Sequence, residues 1–192
     1  MKKTLLFCCT GNTCRSPMAV AVMKYIILKK GILSFKDIQN LEIDSRGLKN
    51  GEEKKSEISA NGVKKFIEKE NFDIKNEEIT AIIKECENHI AKQLTSQDIE
   101  SANLIIILAE KAKYINHLER LKSEGLNLLE HSKKIYYWED LVEEKTYVPD
   151  PFDFKKALEK EDAIIIYQYV AEYIYKQLTK ENSELKKLLQ SI

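Results

Sequence analysis

Apolar residues in this 192-residue chain follow two rhythms. Short unbroken runs mark buried strands: Leu5, Leu6 and Phe7 within Lys3–Cys8, and the wholly aliphatic Leu104–Leu108. Leu41–Ser45 and Lys134–Trp138 add two further candidate strands. Between them the spacing turns helical. Ser16-Pro17 opens a helix, with serine as N-cap and proline at the first helical position, and Met18, Val22, Tyr25 and Ile26 recur on one face to about Lys30. A second helix is expected from about Ser59 to Lys69. Asn71–Asn88 is strongly charged, with Ile79, Ile82 and Ile83 on one side of a short helix, and reads as an inserted surface element. Thr95 with Asp98 forms a capping box that starts a short helix ending near Ala102. Glu110–Lys122 is helical and Glu143–Pro151 is a loop. From about Phe154 to Leu189, the residues Leu158, Ile165, Tyr169, Tyr173 and Leu178 describe a long amphipathic helix, broken once.

The first run stops at a Thr10-Gly11-Asn12 turn and passes into a helix, and this strand, glycine loop, helix order is the opening of an α/β domain. In such folds the loop at the carboxyl end of the strand binds ligands. No repeat, low-complexity tract or linker interrupts residues 1–192, so one domain is expected.

Composition narrows the partners. Lys and Arg together equal Asp and Glu at 31 each, so no bulk field favours nucleic acid or an anionic membrane, and any anion site must be local. Arginine occurs only at positions 15, 46 and 120, which gives weight to one inside a candidate site. The N-terminal apolar run is too short for a signal peptide or a membrane span. Cys8, Cys9 and Cys14 crowd together while Cys86 stands apart, which matches neither a disulfide framework nor zinc spacing. A reducing cytoplasm is the expected compartment, and no metal or cofactor is expected.

Cys9-Thr10-Gly11-Asn12-Thr13-Cys14-Arg15 sets a thiol and a guanidinium six positions apart, between a buried strand and a helix N-terminus. Successive backbone N–H groups of such a loop converge on phosphate oxygens, and the helix dipole adds to their field. Gly11 and Asn12 tolerate the backbone angles that a tight curl demands. Arg15 can grip two oxygens in a fork and stabilise the charge of a phosphoryl group in transit. These same groups favour a thiolate at Cys9, and the Ser16 hydroxyl can donate to its sulfur. Four cysteines and three arginines in 192 positions give roughly 0.06 chance pairs at this spacing, which disfavours coincidence. Cys14, in the same curl, is placed to form a reversible disulfide with Cys9 under peroxide.

The segment Phe7-Cys8-Cys9-Thr10-Gly11-Asn12-Thr13-Cys14-Arg15-Ser16-Pro17-Met18-Ala19 resembles the signature of the low-molecular-weight protein tyrosine phosphatases. The resemblance implies a three-layer α/β domain: a four-stranded parallel twisted sheet with helices on both faces and a phosphate loop between strand 1 and helix 1. It makes Cys9 the nucleophile, with Thr10, Gly11, Asn12, Thr13, Cys14, Arg15 and Ser16 cradling phosphate, sulfate or vanadate-type oxyanions. Asp150-Pro151-Phe152 is similar to the family's Asp-Pro-aromatic motif and supplies Asp150 as general acid; Phe152 and Phe154 then wall the substrate pocket. Ser45-Arg46-Gly47 is similar to the family's Ser-Ala-Gly, and His89-Ile90-Ala91-Lys92 to a segment beginning with His, so Ser45 and His89 are expected to brace Asn12. The chain departs from the family at Val20, where many members carry glutamate, at Arg46, and in the 71–88 insertion.

The expected substrates are phosphorylated proteins, with two acceptor chemistries open. Thr13 resembles the residue of the bacterial protein arginine phosphatases in this family, whereas Asp153 and Phe154 stand where those enzymes tend to have small glycines. Phosphotyrosine and phosphoarginine both remain candidates. Thioredoxin-coupled arsenate reductases share the loop but need two further cysteines, and Cys86 is the sole distant one.

Overall fold

A computed structural model describes residues 3–30, 41–49, 57–71, 76–111, 122–123, 125, 128–151, 160–181 and 184–190. The helix expected over 110–122 and the pocket residues Phe152 and Phe154 fall largely or wholly outside them.

The four strands are β1 (Lys3–Cys9), β2 (Leu41–Gly47), β3 (Leu104–Ile107) and β4 (Ile135–Tyr137). They form one parallel sheet in the order β2-β1-β3-β4. Because β1 pairs with β2 on one edge and β3 on the other, the strand order reverses at its carboxyl end. That reversal opens a crevice between the connections, which is where ligands bind in open α/β sheets.

Residues of β1 alternate between two apolar layers, as the two-residue period of a strand requires. Leu5 and Phe7 join the larger core with α1 (Arg15–Lys30), α2 (Glu57–Lys69), α3 (Glu77–Glu87) and α6 (Lys160–Thr179). Leu6 and Cys8 face a smaller one, with Leu94, Ile105, Ile107 and Ile99 of α4 (Ser96–Ser101). The short helix α5 (Trp138–Leu141) follows β4 and adds Trp138 and Leu141 to the larger core; α7 (Glu184–Gln190) ends the chain's described part. Thr95 caps α4 through the expected reciprocal box with Asp98.

Three readings of the sequence are corrected. The first helix begins at Arg15, so Ser16 lies inside its first turn rather than capping it, and Pro17 sits one residue after that. The first turn tolerates proline because its N–H groups have no helical partners. Second, α3 is no surface element: Asn76 caps it, accepting from the N–H groups of Glu78 and Ile79, and Ile79, Ile82 and Cys86 are buried against α1 and α2. Its charges, which prompted the surface reading, occupy the outer face. Third, Ile165 and Tyr169 are exposed at 62% and 57%. The buried stripe of α6 is instead Ala163, Tyr167, Val170, Ala171, Ile174 and Leu178. Two alanines in that stripe weaken its hydrophobic signal while allowing close approach. α2 makes the matching concession at Gly62, where a Cβ would lie 2.4 Å from the Cβ of Tyr167.

Ile79→Ala should therefore cost about 2–5 kcal/mol, as expected for a core truncation. Urea unfolding measures it; a change within about 0.5 kcal/mol, the range of an ordinary surface substitution, would return α3 to the surface.

Candidate active site

At the carboxyl end of β1 the chain curls through Thr10–Cys14 and enters α1. The curl turns on Asn12, whose φ of 55° lies in the left-handed region that few residues other than glycine and asparagine adopt readily. Asn12 is fully buried, and all the hydrogen-bonding capacity of its amide is used. Its Nδ2 donates to Ser16 Oγ at 2.9 Å and to Ser45 Oγ at 2.8 Å. Its Oδ1 accepts from the Lys92 backbone N–H at 2.8 Å and from His89 Nε2 at 3.0 Å. His89 Nε2 is also 3.1 Å from the Asn12 carbonyl oxygen. Both its neighbours are acceptors, so Nε2 carries the proton and bridges them. Burial, the larger influence, holds the pKa of His89 below the ordinary histidine value, which keeps the ring neutral at pH 7.

The segment bearing His89 and Lys92 is itself fixed. Gly47 N–H donates to the Lys92 carbonyl and Leu94 N–H to the Gly47 carbonyl, both at 2.8 Å. A side chain at 47 would crowd this junction, since a Cβ there would lie 3.1 Å from Asn12 Cβ, Gly11 C and Lys49 O. Arg46 ties the same region together through Asp44 and Asp98, and these bonds hold both carboxyls below the usual carboxylate range despite the opposing effect of burial.

Cys9 ends β1 and begins the curl. Its Sγ lies 3.1 Å from Ser16 Oγ. Since that oxygen already accepts from Asn12 Nδ2, its own hydrogen is available to the sulfur, and a directed chain runs from Asn12 through Ser16 to Cys9. Arg15 is buried, with Nη2 3.2 Å from Thr10 Oγ1 and 2.7 Å from Asp150 Oδ2, and Nη1 3.5 Å from the Val148 carbonyl. Val148 N–H donates to the Leu108 carbonyl at the end of β3, which anchors the Asp150 loop against the sheet. The thiol of Cys9, the guanidinium of Arg15 and the carboxylate of Asp150 thus converge at one strand end. α1, with no acidic residue in its first turn, points its positive end at the same place.

The other cysteines differ in setting. Cys8 projects into the smaller core, where burial raises its pKa far above that of a free thiol. Burial also pushes the Cys86 thiol up, to about 12, on the buried face of α3, where it faces the Pro17 carbonyl. Cys14 is buried, its Sγ 3.4 Å from the Tyr167 hydroxyl and 3.6 Å from Thr13 Oγ1, and burial raises its pKa too. Thr13 is half-buried, and its carbonyl accepts from Ser59 Oγ at 3.2 Å. Sequence reasoning passed over Tyr167, Ser59, Val148 and the Lys92 N–H. Two of these act through backbone atoms, which no residue type announces. Ser59 read only as a helix start, and Tyr167 was hidden by a stripe drawn one residue turn away.

The family model for low molecular weight phosphotyrosine protein phosphatase matches residues 4–191, and the chain belongs to that family. It is 31% identical over 111 residues to a protein-arginine-phosphatase of Bacillus subtilis, an alignment that covers 58% of this chain and 59% of that relative's length. It is 27% identical over 151 residues to the low molecular weight protein-tyrosine-phosphatase YfkJ of the same organism, covering 78% and 80%. Among solved structures, a YwlE mutant from Bacillus subtilis superposes with a TM-score of 0.62 at 22% identity, covering 98% of this chain and 99% of the other; that likeness speaks to the fold. Among the described residues no helix is long and apolar enough to cross a membrane.

The neutral His89 ring has a consequence for stability. Its folded pKa lies below the unfolded value of about 6.5, so the unfolded chain binds the extra proton first as pH falls. The ring's contribution is complete above that pH and is lost as pH drops toward the folded pKa. Denaturant midpoints between pH 8 and 5 should fall less steeply in His89→Gln than in the parent; equal slopes would show that His89 is not held neutral.

Proposed function

We propose that this chain hydrolyses phosphoryl groups from phosphorylated proteins, on tyrosine, arginine or both, through a phosphocysteine intermediate at Cys9. The observation that carries the reading is the curl that sets Cys9 beside Ser16 and ends at Arg15, with the 2.7 Å Arg15–Asp150 contact linking it to the segment across the crevice.

In the first step the Cys9 thiolate attacks phosphorus in line with the leaving group. The P–O bond of a phosphotyrosine, or the P–N bond of a phosphoarginine, breaks as an S–P bond forms. Asp150 gives its proton to the departing oxygen or nitrogen. Loop N–H groups and Arg15 hold the three equatorial oxygens, so that the arginine exchanges part of its contact with Asp150 for the phosphoryl group. That exchange leaves the carboxyl group beside the leaving atom. In the second step Asp150, now a carboxylate, takes a proton from water, which attacks phosphorus and releases inorganic phosphate and the thiolate. The Ser16 hydroxyl, oriented by Asn12, stabilises that thiolate as it leaves.

The match to a protein-arginine-phosphatase and the small hydroxyl of Thr13 support phosphoarginine; the family and the second relative support phosphotyrosine. Four free, closely buried cysteines suit a reducing cytoplasm. Arsenate reduction gains nothing from Cys86, whose buried thiol, with its pKa raised to about 12, is a poor relay for electrons.

Cys9→Ser should abolish turnover yet still bind vanadate, because the cradle is mostly backbone; turnover by this variant would remove Cys9 from the nucleophile role. Asp150→Asn should lose roughly 10² to 10⁴ in rate on poor leaving groups and less on activated aryl phosphates. An equal loss on both would remove Asp150 as the acid. Thr13→Ile should shift kcat/KM from phosphoarginine toward phosphotyrosine by about 1–3 kcal/mol, and an unchanged ratio would exclude Thr13 as the selector.

A further inference from the structure

Two separate sets of contacts hold the loop. The Asn12 limb is fixed from the β2 side by Ser45, His89 and the Lys92 N–H. The Thr13–Cys14 limb rests on the helical layer instead. Ser59 of α2 donates to the Thr13 carbonyl at 3.2 Å, and the Tyr167 hydroxyl of α6 meets Cys14 Sγ at 3.4 Å. Tyr167 is fully buried, and its backbone comes close enough to α2 to place the ring there because Gly62 has no side chain. A tyrosine set in an apolar layer with its hydroxyl aimed at a loop sulfur is costly for packing alone, since phenylalanine would fill the same space with no polar atom to satisfy.

The two limbs serve different parts of a substrate. The Asn12 limb shapes the phosphate cradle, which every phosphorylated substrate uses. Thr13, half-exposed, is the residue expected at the pocket rim, where a leaving group would begin. Hydrogen bonds to a guanidinium are directional and weaken steeply with misalignment, whereas contact with a flat aryl ring tolerates small displacements.

We propose that Ser59 and Tyr167 are positioning residues that hold Thr13 at the pocket rim, and so set the preference between a guanidinium-linked and an aryl-linked phosphate. The proposal rests on the phosphatase function given above. It adds two residues remote from the phosphate, on helices that the motif does not include, as determinants of substrate class.

The test is kcat/KM for a phosphoarginine peptide and for p-nitrophenyl phosphate in the parent, Tyr167→Phe, Ser59→Ala and the double variant, with thermal unfolding of each. Either single change should lower the phosphoarginine value roughly three- to tenfold more than the aryl phosphate value, the size of one lost hydrogen bond. In a Thr13→Ile background, Tyr167→Phe should leave the ratio where Thr13→Ile alone sets it, because Tyr167 acts on the preference only through Cys14 and the placement of Thr13 beside it. Should Tyr167→Phe fail to fold, Ser59→Ala alone decides. Equal losses on the two substrates, tracking a drop in melting temperature, would make the pair a structural support and overturn the proposal. A parent active on the aryl phosphate and inert on phosphoarginine would overturn it as well. A parent inert on both would instead remove the phosphatase function itself.

Discussion

The left-handed turn at Asn12 is the constraint on which the site depends. An L-residue at φ of 55° is unfavourable unless its surroundings hold it there. Here those surroundings come from three places far apart in sequence: Ser16 on α1, Ser45 on β2, and the His89–Lys92 segment after α3. The strain is thereby offset by a fully satisfied buried amide, and an unsatisfied one would be expensive. Ser45, His89 and the Lys92 N–H reach Asn12 only once β2 and the segment after α3 are in place beside β1.

That arrangement also orders the chemistry. Asn12 feeds a hydrogen bond into Ser16, which leaves the serine proton for Cys9; the same turn brings Arg15 round to face Asp150. A thiol at a strand end is ordinarily inert, as Cys8 illustrates one residue earlier: it faces the opposite layer and sits in apolar surroundings. The difference between the two neighbours follows from the two-residue period of β1 and from where the curl begins.

The sequence revealed the strands well, because parallel strands buried on both faces read as unbroken aliphatic runs. It pointed to Cys9 and Arg15 through their residue types and spacing, and to Asp150, Ser45 and His89 through family resemblance. It misled wherever burial depended on partners. The charges of α3 disguised a helix whose Ile79 and Ile82 enter the core, and Ile165 and Tyr169 outshone the alanines of the true α6 stripe. Tyr167 belongs to that stripe, and its reach toward Cys14 depends on Gly62 a hundred residues away. No local pattern encodes such a contact. Phe152 and Phe154, the aromatic walls expected from the motif, lie outside the described residues.

The most direct measurement is mass spectrometry of the intact protein and its peptides after acid quench during turnover of an aryl phosphate. Phosphoryl transfer through the loop predicts at most one phosphate per chain, on Cys9 and on no other cysteine. A chain that turns over substrate with Cys9 unmodified, or with phosphate on Cys8, Cys14 or Cys86, would contradict it.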